Sequence, residues 1–268
     1  MNRFKRAIDR GDLGAVRKML TKAPDLARRP IRWGSILCPC KSEPLHYLSD
    51  GRFNRVFEHQ RHVDIARCLL EAGAPVNGSP DFGESPLHGA ASLGEPGIAA
   101  VLLEFGADAE ARASYPGIPN GTPLGFAVHF GMVEVIEVLV SHGAELLSPR
   151  MFAGAGRVDL LQDSLDELSP AELRDAYRCG AVCDRTDVVD VLLERLDINA
   201  EVNEATALHW AAWEAKPRMV AHLVARGADP TRRDAKHRMT PLGWAQHRGK
   251  ELGPRWGHGQ VVALLSSS

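Results

Sequence analysis

Apolar residues gather into short segments of helical length that recur at similar spacings along the chain. Four such segments, rich in leucine and β-branched residues, occupy 63–70, 98–103, 133–140 and 220–224. Each is followed three residues later by Gly-Ala. An apolar run that ends just before a glycine predicts a helix with one buried face and a glycine at its C-terminal end.

A four-residue signature precedes each of these segments. Its copies are E-P-L-H at 43–46, S-P-L-H at 85–88, T-P-L-G at 122–125, T-A-L-H at 206–209 and T-P-L-G at 240–243. The last two copies start 34 residues apart, the second and third 37, and the first and second 42. Serine or threonine can cap a helix, and proline fits its first turn because no donor is needed there. The signature therefore predicts the start of another helix, the first of a pair.

The remaining signature positions indicate how the helix pairs stack. The leucine is expected in the core between helices, and the histidine is expected to hydrogen-bond backbone groups and caps of the neighbouring repeat. Gly94, Gly131 and Gly249 are expected to end the first helix of their pairs. One helix pair cannot cover its own apolar face, so the pairs must pile side by side.

The signature, the two helices and the closing Gly-Ala resemble the ankyrin repeat, and the resemblance extends over nearly the whole chain. It implies an all-α solenoid of about eight stacked helix pairs forming a single domain. The implied divisions are a capping repeat at 1–30, a repeat at 43–80 with an insertion at 51–62, regular repeats at 84–146, two degenerate repeats at 147–205, a regular repeat at 206–238 and a capping repeat at 239–268.

Several segments depart from this pattern, and irregular segments are where a particular function is often built. Ser148-Pro149 is predicted to cap a shortened first helix, whereas Tyr177 and Arg178 replace the usual leucine and histidine. Phe53, Val56 and Phe57 are predicted to form a short amphipathic turn in the insertion at 51–62, and residues 250–260 form a second insertion.

Composition and charge narrow the class of protein. The chain has 268 residues, of which 44% are apolar and 25% charged, as in ordinary folded proteins. No apolar run is long enough for a membrane span, and the N-terminus lacks the apolar core of a secretory signal. Five scattered cysteines do not suggest a disulfide framework, so we expect a monomer in the reducing cytoplasm.

The formal net charge of −2 is unevenly distributed. Residues 1–32 and 216–255 each carry ten Lys/Arg against three Asp/Glu, whereas residues 159–204 carry thirteen Asp/Glu against four Arg. Such asymmetry can steer a charged partner, or it can simply be a set of solvated outer faces. The slightly acidic total and the lack of a known binding module argue against a nucleic-acid partner, and no amphipathic basic helix suggests membrane association.

Candidate chemistry is sparse. Cys38 and Cys40 could form a metal-binding or redox-sensing site, an alternative function, with nearby His46, His59, His62 and Cys68. Cys-x-Cys is tighter than the usual zinc spacing, however, and Cys179 and Cys183 are expected to be small buried apolar residues. No nucleophile elbow, phosphate-binding loop or metalloprotease motif occurs, so we expect neither catalysis nor a cofactor.

The resemblance implies that a partner protein binds the concave surface formed by hairpin-loop tips and the exposed ends of the first helices. The helix-end candidates are Leu93, His129, Phe130, Trp213, Glu214, His247 and Arg248, and the loop-tip candidates are Phe82, Tyr115, Ile118, Glu204, His237 and Arg238. Phe130 and Trp213 stand out because the repeat scaffold does not require an aromatic there. Alternatively, both rings pad the neighbouring repeat. Trp210 and Trp244 are expected to be packing residues.

Overall fold

A computed structural model describes residues 3–34, 39–54, 56–57, 59–79, 83–253 and 257–267. This part of the chain is all-α apart from three small hairpins, and it forms an ankyrin-type solenoid of stacked helices. It divides into two compact units, Met1–Ala127 with Glu134–Glu145, and Val128–Val133 with Leu146–Ser268. None of the described helices is long and apolar enough to cross a membrane.

Helices account for most of both units. In chain order, the first of the described helices are α1 (Arg3–Asp9), α2 (Leu13–Lys22), α3 (Pro44–Phe53), α4 (His62–Glu71), α5 (Pro86–Leu93), α6 (Pro96–Glu104), α7 (Pro123–His129) and α8 (Val133–Ser141). Those that follow are α9 (Pro149–Ala155), α10 (Val158–Ser164), α11 (Pro170–Val182), α12 (Thr186–Leu192), α13 (Ala207–Trp213), α14 (Pro217–Ala225), α15 (Pro241–Leu252) and α16 (His258–Ser266).

The three hairpins are antiparallel and two-stranded. β1 (Ile31–Gly34) pairs with β2 (Pro39–Ser42), β3 (Ala113–Tyr115) with β4 (Ile118–Gly121), and β5 (Glu201–Val202) with β6 (Ala205–Thr206). The first hairpin occupies the long link that precedes the repeat signature at 43–46, and it pairs Trp33 with Cys40.

The signature residues start the first helices as their chemistry predicts. Ser85 caps α5 reciprocally, because its backbone N–H donates to His88 Nδ1 at 3.3 Å while its Oγ accepts from the His88 backbone N–H at 3.4 Å. Thr206 and His209 make the same capping box at α13. Since Nδ1 of each ring accepts a hydrogen bond, the opposite nitrogen, Nε2, carries the proton.

The signature histidines also tie each repeat to the next, as the sequence predicts. Each Nε2 lies within hydrogen-bond distance of the carbonyl oxygen that immediately precedes the next signature. The pairs are His46 with Glu84 at 3.0 Å, His88 with Gly121 at 3.2 Å and His209 with Met239 at 3.1 Å. Burial lowers the pKa of His88 and of His209, so both rings stay neutral and keep this donor pattern at neutral pH.

In the second unit the first helices α9, α11, α13 and α15 pack in that order, and the second helices lie behind them. Small residues permit the close approach: Ala211 and Ala212 of α13 are completely buried. Ion pairs join the second helices, since Asp190 of α12 accepts from His222 at 2.7 Å and from Arg226 at 2.6 Å, both in or beside α14.

Two local predictions are wrong. Gly249 does not end α15, which continues to Leu252. A Cβ at Gly249 would lie 3.0 Å from the Cβ of His258, so this glycine allows α16 to approach closely instead of breaking the helix. Phe53 belongs to the last turn of α3, and Phe57 packs edge-on against Tyr47 with ring centroids 5.9 Å apart, so the two do not share a separate amphipathic turn.

The degenerate stretch carries two helix pairs, α9 with α10 and α11 with α12. Ser148 occupies the N-cap position of α9, although its side chain makes no capping hydrogen bond. Tyr177 is fully buried in the core of α11, and its hydroxyl donates to the Ile198 carbonyl at 3.0 Å. The larger side chain thus replaces the signature leucine without leaving its polar group unsatisfied.

Candidate functional site

The predicted partner-binding residues fall into both units. Leu93, Tyr115 and Ile118 belong to the first unit, and Phe82 lies outside the described residues. The second unit holds the other candidates: His129, Phe130, Glu204, Trp213, Glu214, His237, Arg238, His247 and Arg248. The second unit is therefore where most of the predicted surface is assembled.

Three tryptophans meet where α13 packs against α15. The Trp244 ring lies edge-on to Trp210 at 5.3 Å and edge-on to Trp213 at 5.5 Å between ring centroids. Trp244 is buried and donates from Nε1 to Asp234 Oδ2 at 3.0 Å, while Trp210 donates to the Val202 carbonyl at 3.1 Å. These two are packing residues with satisfied indole donors.

Trp213 differs from its two neighbours. It is half-buried at the end of α13, and its indole N–H has no acceptor in the described part of the chain. The Arg248 guanidinium carbon lies 4.7 Å from the centre of its ring, and the His247 ring stacks on it at 6.2 Å. Glu251 holds both basic side chains, accepting from Arg248 at 3.1 Å and lying 3.4 Å from His247 Nε2.

Arg178 of α11 places a buried cation beside these tryptophans. Its side chain is almost fully buried, and its guanidinium carbon lies 5.6 Å from the centre of the Trp210 ring. Asp175 accepts hydrogen bonds from its Nε and Nη2, each at 3.3 Å. Burial opposes the charged form, but the neighbouring Cys179 and Asp175 raise the pKa of Arg178 overall, so it stays charged.

Glu214 caps the end of α13 among these cations. It is half-buried, and burial raises its pKa to about 7, although Lys216, Arg248 and Arg178 each favour its charged form. Trp213, Glu214, His247, Arg248 and Arg178 are hereafter the Trp213 cluster. Its members come from three successive first helices, and it combines an aromatic ring, two arginines and a carboxyl group that titrates near neutral pH.

A second group of candidate residues in the same unit lies near α9 and α11. His129 and Phe130 are half-buried, and their rings meet edge-on at 4.9 Å. Arg150 of α9 donates to His129 Nδ1 at 3.3 Å and lies 3.6 Å from Asp175. Burial, with Arg178 and Arg150 nearby, lowers the pKa of His129 to about 4, so the ring is a neutral acceptor at pH 7.

The predicted loop-tip residues are not equivalent. Tyr115, His237 and Arg238 are exposed, but Ile118 is buried, with only 3% of its surface accessible. Its Cγ2 packs over Gly121, which leaves room because it has no side chain. Ile118 is therefore a packing residue of its hairpin and is not available to a partner, contrary to the expectation from its place in the loop.

Sequence reasoning missed Arg178, Arg150 and Asp175. Arg178 stands at the histidine position of the signature, which faces the neighbouring helix. A charged residue at that position was the only feature in the sequence that could have pointed to it. Its role depends on Trp210 and Asp175, which reach it only through the stacking of α11 and α13.

The described residues do not gather the metal ligands of the alternative function. His46 contacts the Glu84 carbonyl, His62 lies 3.1 Å from Glu95, and Cys68 accepts from Arg17 at 3.2 Å. No group of three or more His, Cys, Asp or Glu able to hold a metal occurs in the described ranges. Cys38 lies outside them, and Cys40 is half-buried.

Family models of the ankyrin repeat match two parts of the chain. A family model of ankyrin repeats in three copies matches residues 58–150, and a single ankyrin-repeat model matches residues 203–235. The human ASB11 ankyrin repeat domain superposes with a TM-score of 0.46 and 22% identity, covering 99% of this chain and 98% of that one.

The curated relatives are longer proteins. The chain is 28% identical over 194 residues to a transient receptor potential channel of subfamily A from Drosophila melanogaster, covering 68% of this chain and 14% of that protein. It is 30% identical over 180 residues to the ankyrin repeat and KH domain-containing protein mask-1 of Caenorhabditis elegans, covering 62% and 7%. It is 28% identical over 174 residues to the human ankyrin repeat and SOCS box protein 16, covering 61% and 34%. The chain thus spans about a third or less of the length of these relatives. With its signature caps, its stacked helix pairs and the two family-model matches, the chain contains ankyrin repeats.

Proposed function

We propose that this protein is a non-catalytic scaffold or inhibitor that binds a partner protein through the first-helix ends of its second unit, centred on the Trp213 cluster. Ankyrin repeats generally mediate protein–protein interaction, and stacked repeats use these helix ends in an extended concave binding surface. We further propose that it acts as a monomer in the cytoplasm, in keeping with the free thiols of Cys68, Cys179 and Cys183.

The observation that carries this proposal is the state of Trp213. Its two tryptophan neighbours are packed with satisfied indole donors, whereas the Trp213 N–H has no acceptor among the described residues and its half-buried ring is flanked by Arg248. Tryptophan and arginine are the residues most enriched at binding hot spots, where a large apolar ring and a polar handle act together.

The test compares two aromatic truncations as baits. Trp213→Ala removes the proposed anchor, and Phe105→Ala removes an exposed aromatic at the end of a second helix, α6, in the first unit. Lysate of the producing cells is passed over wild type and both variants, and the bound proteins are identified by mass spectrometry. We expect a partner that binds wild type and Phe105→Ala but not Trp213→Ala.

Stability is measured on the same preparations, because a misfolded bait would also lose its partner. Circular dichroism melting should show that Trp213→Ala keeps its helical content at the temperature of the capture experiment. A partner retained by the folded Trp213→Ala variant, or lost equally with both variants, would remove Trp213 from the binding surface.

A further inference from the structure

The loop between α14 and α15 is the most basic exposed feature of the second unit. Arg233, Lys236 and Arg238 are all exposed, and none of them forms an ion pair with a carboxylate in the described ranges of the chain. Arg232, next to them, is neutralised by Glu201 at 3.1 Å. Among the described residues, three cations on one short loop therefore have no ion-pair partner.

Ion pairs between neighbouring repeats neutralise some of the opposite charge of the two stretches. The acidic stretch 159–204 and the basic stretch 216–255 are joined by ion pairs from Arg218 to Asp184 at 3.0 Å and from Arg226 to Asp190 at 2.6 Å. Such pairs neutralise part of the opposite charge seen in the sequence. They leave the three cations of the loop, with the exposed Glu204 of the adjacent hairpin as one opposing charge.

The loop is held in a fixed shape. The buried carboxylate of Asp234 accepts from the backbone N–H of His237 at 2.6 Å, from that of Met239 at 2.8 Å and from Trp244 Nε1 at 3.0 Å. The Ala235 N–H donates to the Glu204 carbonyl at 2.9 Å, which fastens the loop to the hairpin before it. A surface that is already ordered loses little conformational entropy on binding.

The loop and Trp213 both contact one side chain, Trp244. Trp244 bonds to Asp234 of the loop, and its ring meets Trp213 at 5.5 Å. An extended peptide advances about 3.3 Å per residue, so a few residues cover the width of one side chain such as Trp244. One short segment can therefore reach both the cations and the indole ring.

Resting on the proposed protein-binding role, we propose that the partner presents an acidic peptide segment whose carboxylates meet Lys236, Arg238 and Arg233 while an apolar side chain packs on Trp213. A peptide fits better than a nucleic acid, because the exposed carboxylates of Glu204 and Glu251 lie in the hairpin and the helix that carry this surface and would repel a continuous phosphate backbone.

A random 12-residue peptide library displayed on phage tests this with the full-length chain as target. The loop variant is Lys236→Glu with Arg238→Glu, and Arg233 is kept because it donates to the Arg238 carbonyl at 2.7 Å. The matched control, Lys18→Glu with Lys22→Glu, makes the same charge change on exposed positions of α2. Trp213→Ala is the third target.

We expect sequences rich in Asp and Glu with an apolar residue to be enriched on wild type. The best peptide, synthesised with a fluorophore, should bind the loop variant at least about tenfold more weakly and the control variant within about twofold of wild type. Replacing its Glu and Asp by Gln and Asn should cost a similar factor, and 0.5 M NaCl should weaken binding relative to 0.05 M.

The opposing outcomes separate the two proposals. Enrichment of neutral or basic peptides that need Trp213 but bind the loop variant normally would overturn the acidic segment and leave the binding surface intact. Peptides that ignore Trp213, or no enrichment at all, would overturn both. A labelled single-stranded DNA 20-mer that binds wild type as tightly as the best peptide, and loses affinity in the loop variant, would assign the loop to nucleic acid instead.

Discussion

Replacing Asp234 by alanine tests whether one buried carboxylate organises the region around the Trp213 cluster. Asp234 has 2% of its surface accessible and accepts three N–H groups, those of His237, Met239 and the Trp244 indole. Burial alone would raise its pKa, but these hydrogen bonds outweigh burial and lower it. The carboxylate is thus more stable in the folded protein than in water.

The size of the effect follows from which donors can find water. His237 is exposed, so its backbone N–H can be hydrated after the substitution, whereas Met239 and Trp244 are half-buried and buried. Leaving a buried donor unsatisfied costs about 1–3 kcal/mol, so two such donors give a loss of about 3 kcal/mol in the free energy of unfolding. Asp229→Ala is the control, because this exposed aspartate accepts from the Thr231 N–H and hydroxyl, both of which water can replace, so its loss should be much smaller.

Urea unfolding followed by tryptophan fluorescence measures this difference, since three of the five tryptophans lie in this region. The lowered pKa adds a pH signature: stabilisation by Asp234 is fully present above its unfolded pKa and is lost as pH falls through the folded pKa. Wild type and Asp234→Ala should therefore converge in stability only in strong acid. Equal losses for Asp234→Ala and Asp229→Ala would refute the buried anchor.

Three further outcomes are expected. Gly131→Ala should destabilise by about 1 kcal/mol or more beyond Gly227→Ala in urea unfolding: both glycines have positive φ, 65° and 92°, but only at Gly131 would a Cβ meet a backbone carbonyl oxygen, at 2.5 Å. Equal losses would contradict that contact. The pKa of Glu214 is raised to about 7, so its contribution to stability is present below pH 4.5 and is lost as pH rises towards 7. Relative to Glu214→Gln, wild type should lose up to about 3 kcal/mol of unfolding free energy between pH 4.5 and 8. An unfolding free-energy difference between the two that does not change with pH would contradict the burial argument. Elemental analysis of purified protein should find no stoichiometric metal, and one metal per chain would favour the alternative built on Cys38 and Cys40.

Most of the fold could be predicted from the sequence because the start and end of each helix are set by residues close to them in the chain. Ser85-Pro86 specifies a helix start through cap chemistry within one turn, and Gly227 specifies a helix end through its own backbone conformation. The histidine bridges were also predictable, since His88 sits at a fixed distance from its cap partner and each repeat delivers the next carbonyl to the same place.

What the sequence could not show depends on neighbours brought by stacking. Gly249 looks like a helix terminator, but the space it leaves is used by His258 of α16. Ile118 looks like a loop tip, but its side chain turns inward over Gly121. The Arg178 guanidinium is positioned by Trp210 and Asp175, and no local sequence pattern predicts that these residues would meet it.

Hydrogen–deuterium exchange of the full chain, alone and bound to the captured partner or the selected peptide, tests the proposed surface most directly. We expect slower exchange on binding in α13 (Ala207–Trp213) and α15 (Pro241–Leu252) and in the loop between α14 and α15. Protection confined to the second helices α12 and α14, with the α13 and α15 peptides unchanged, would contradict a binding site centred on Trp213.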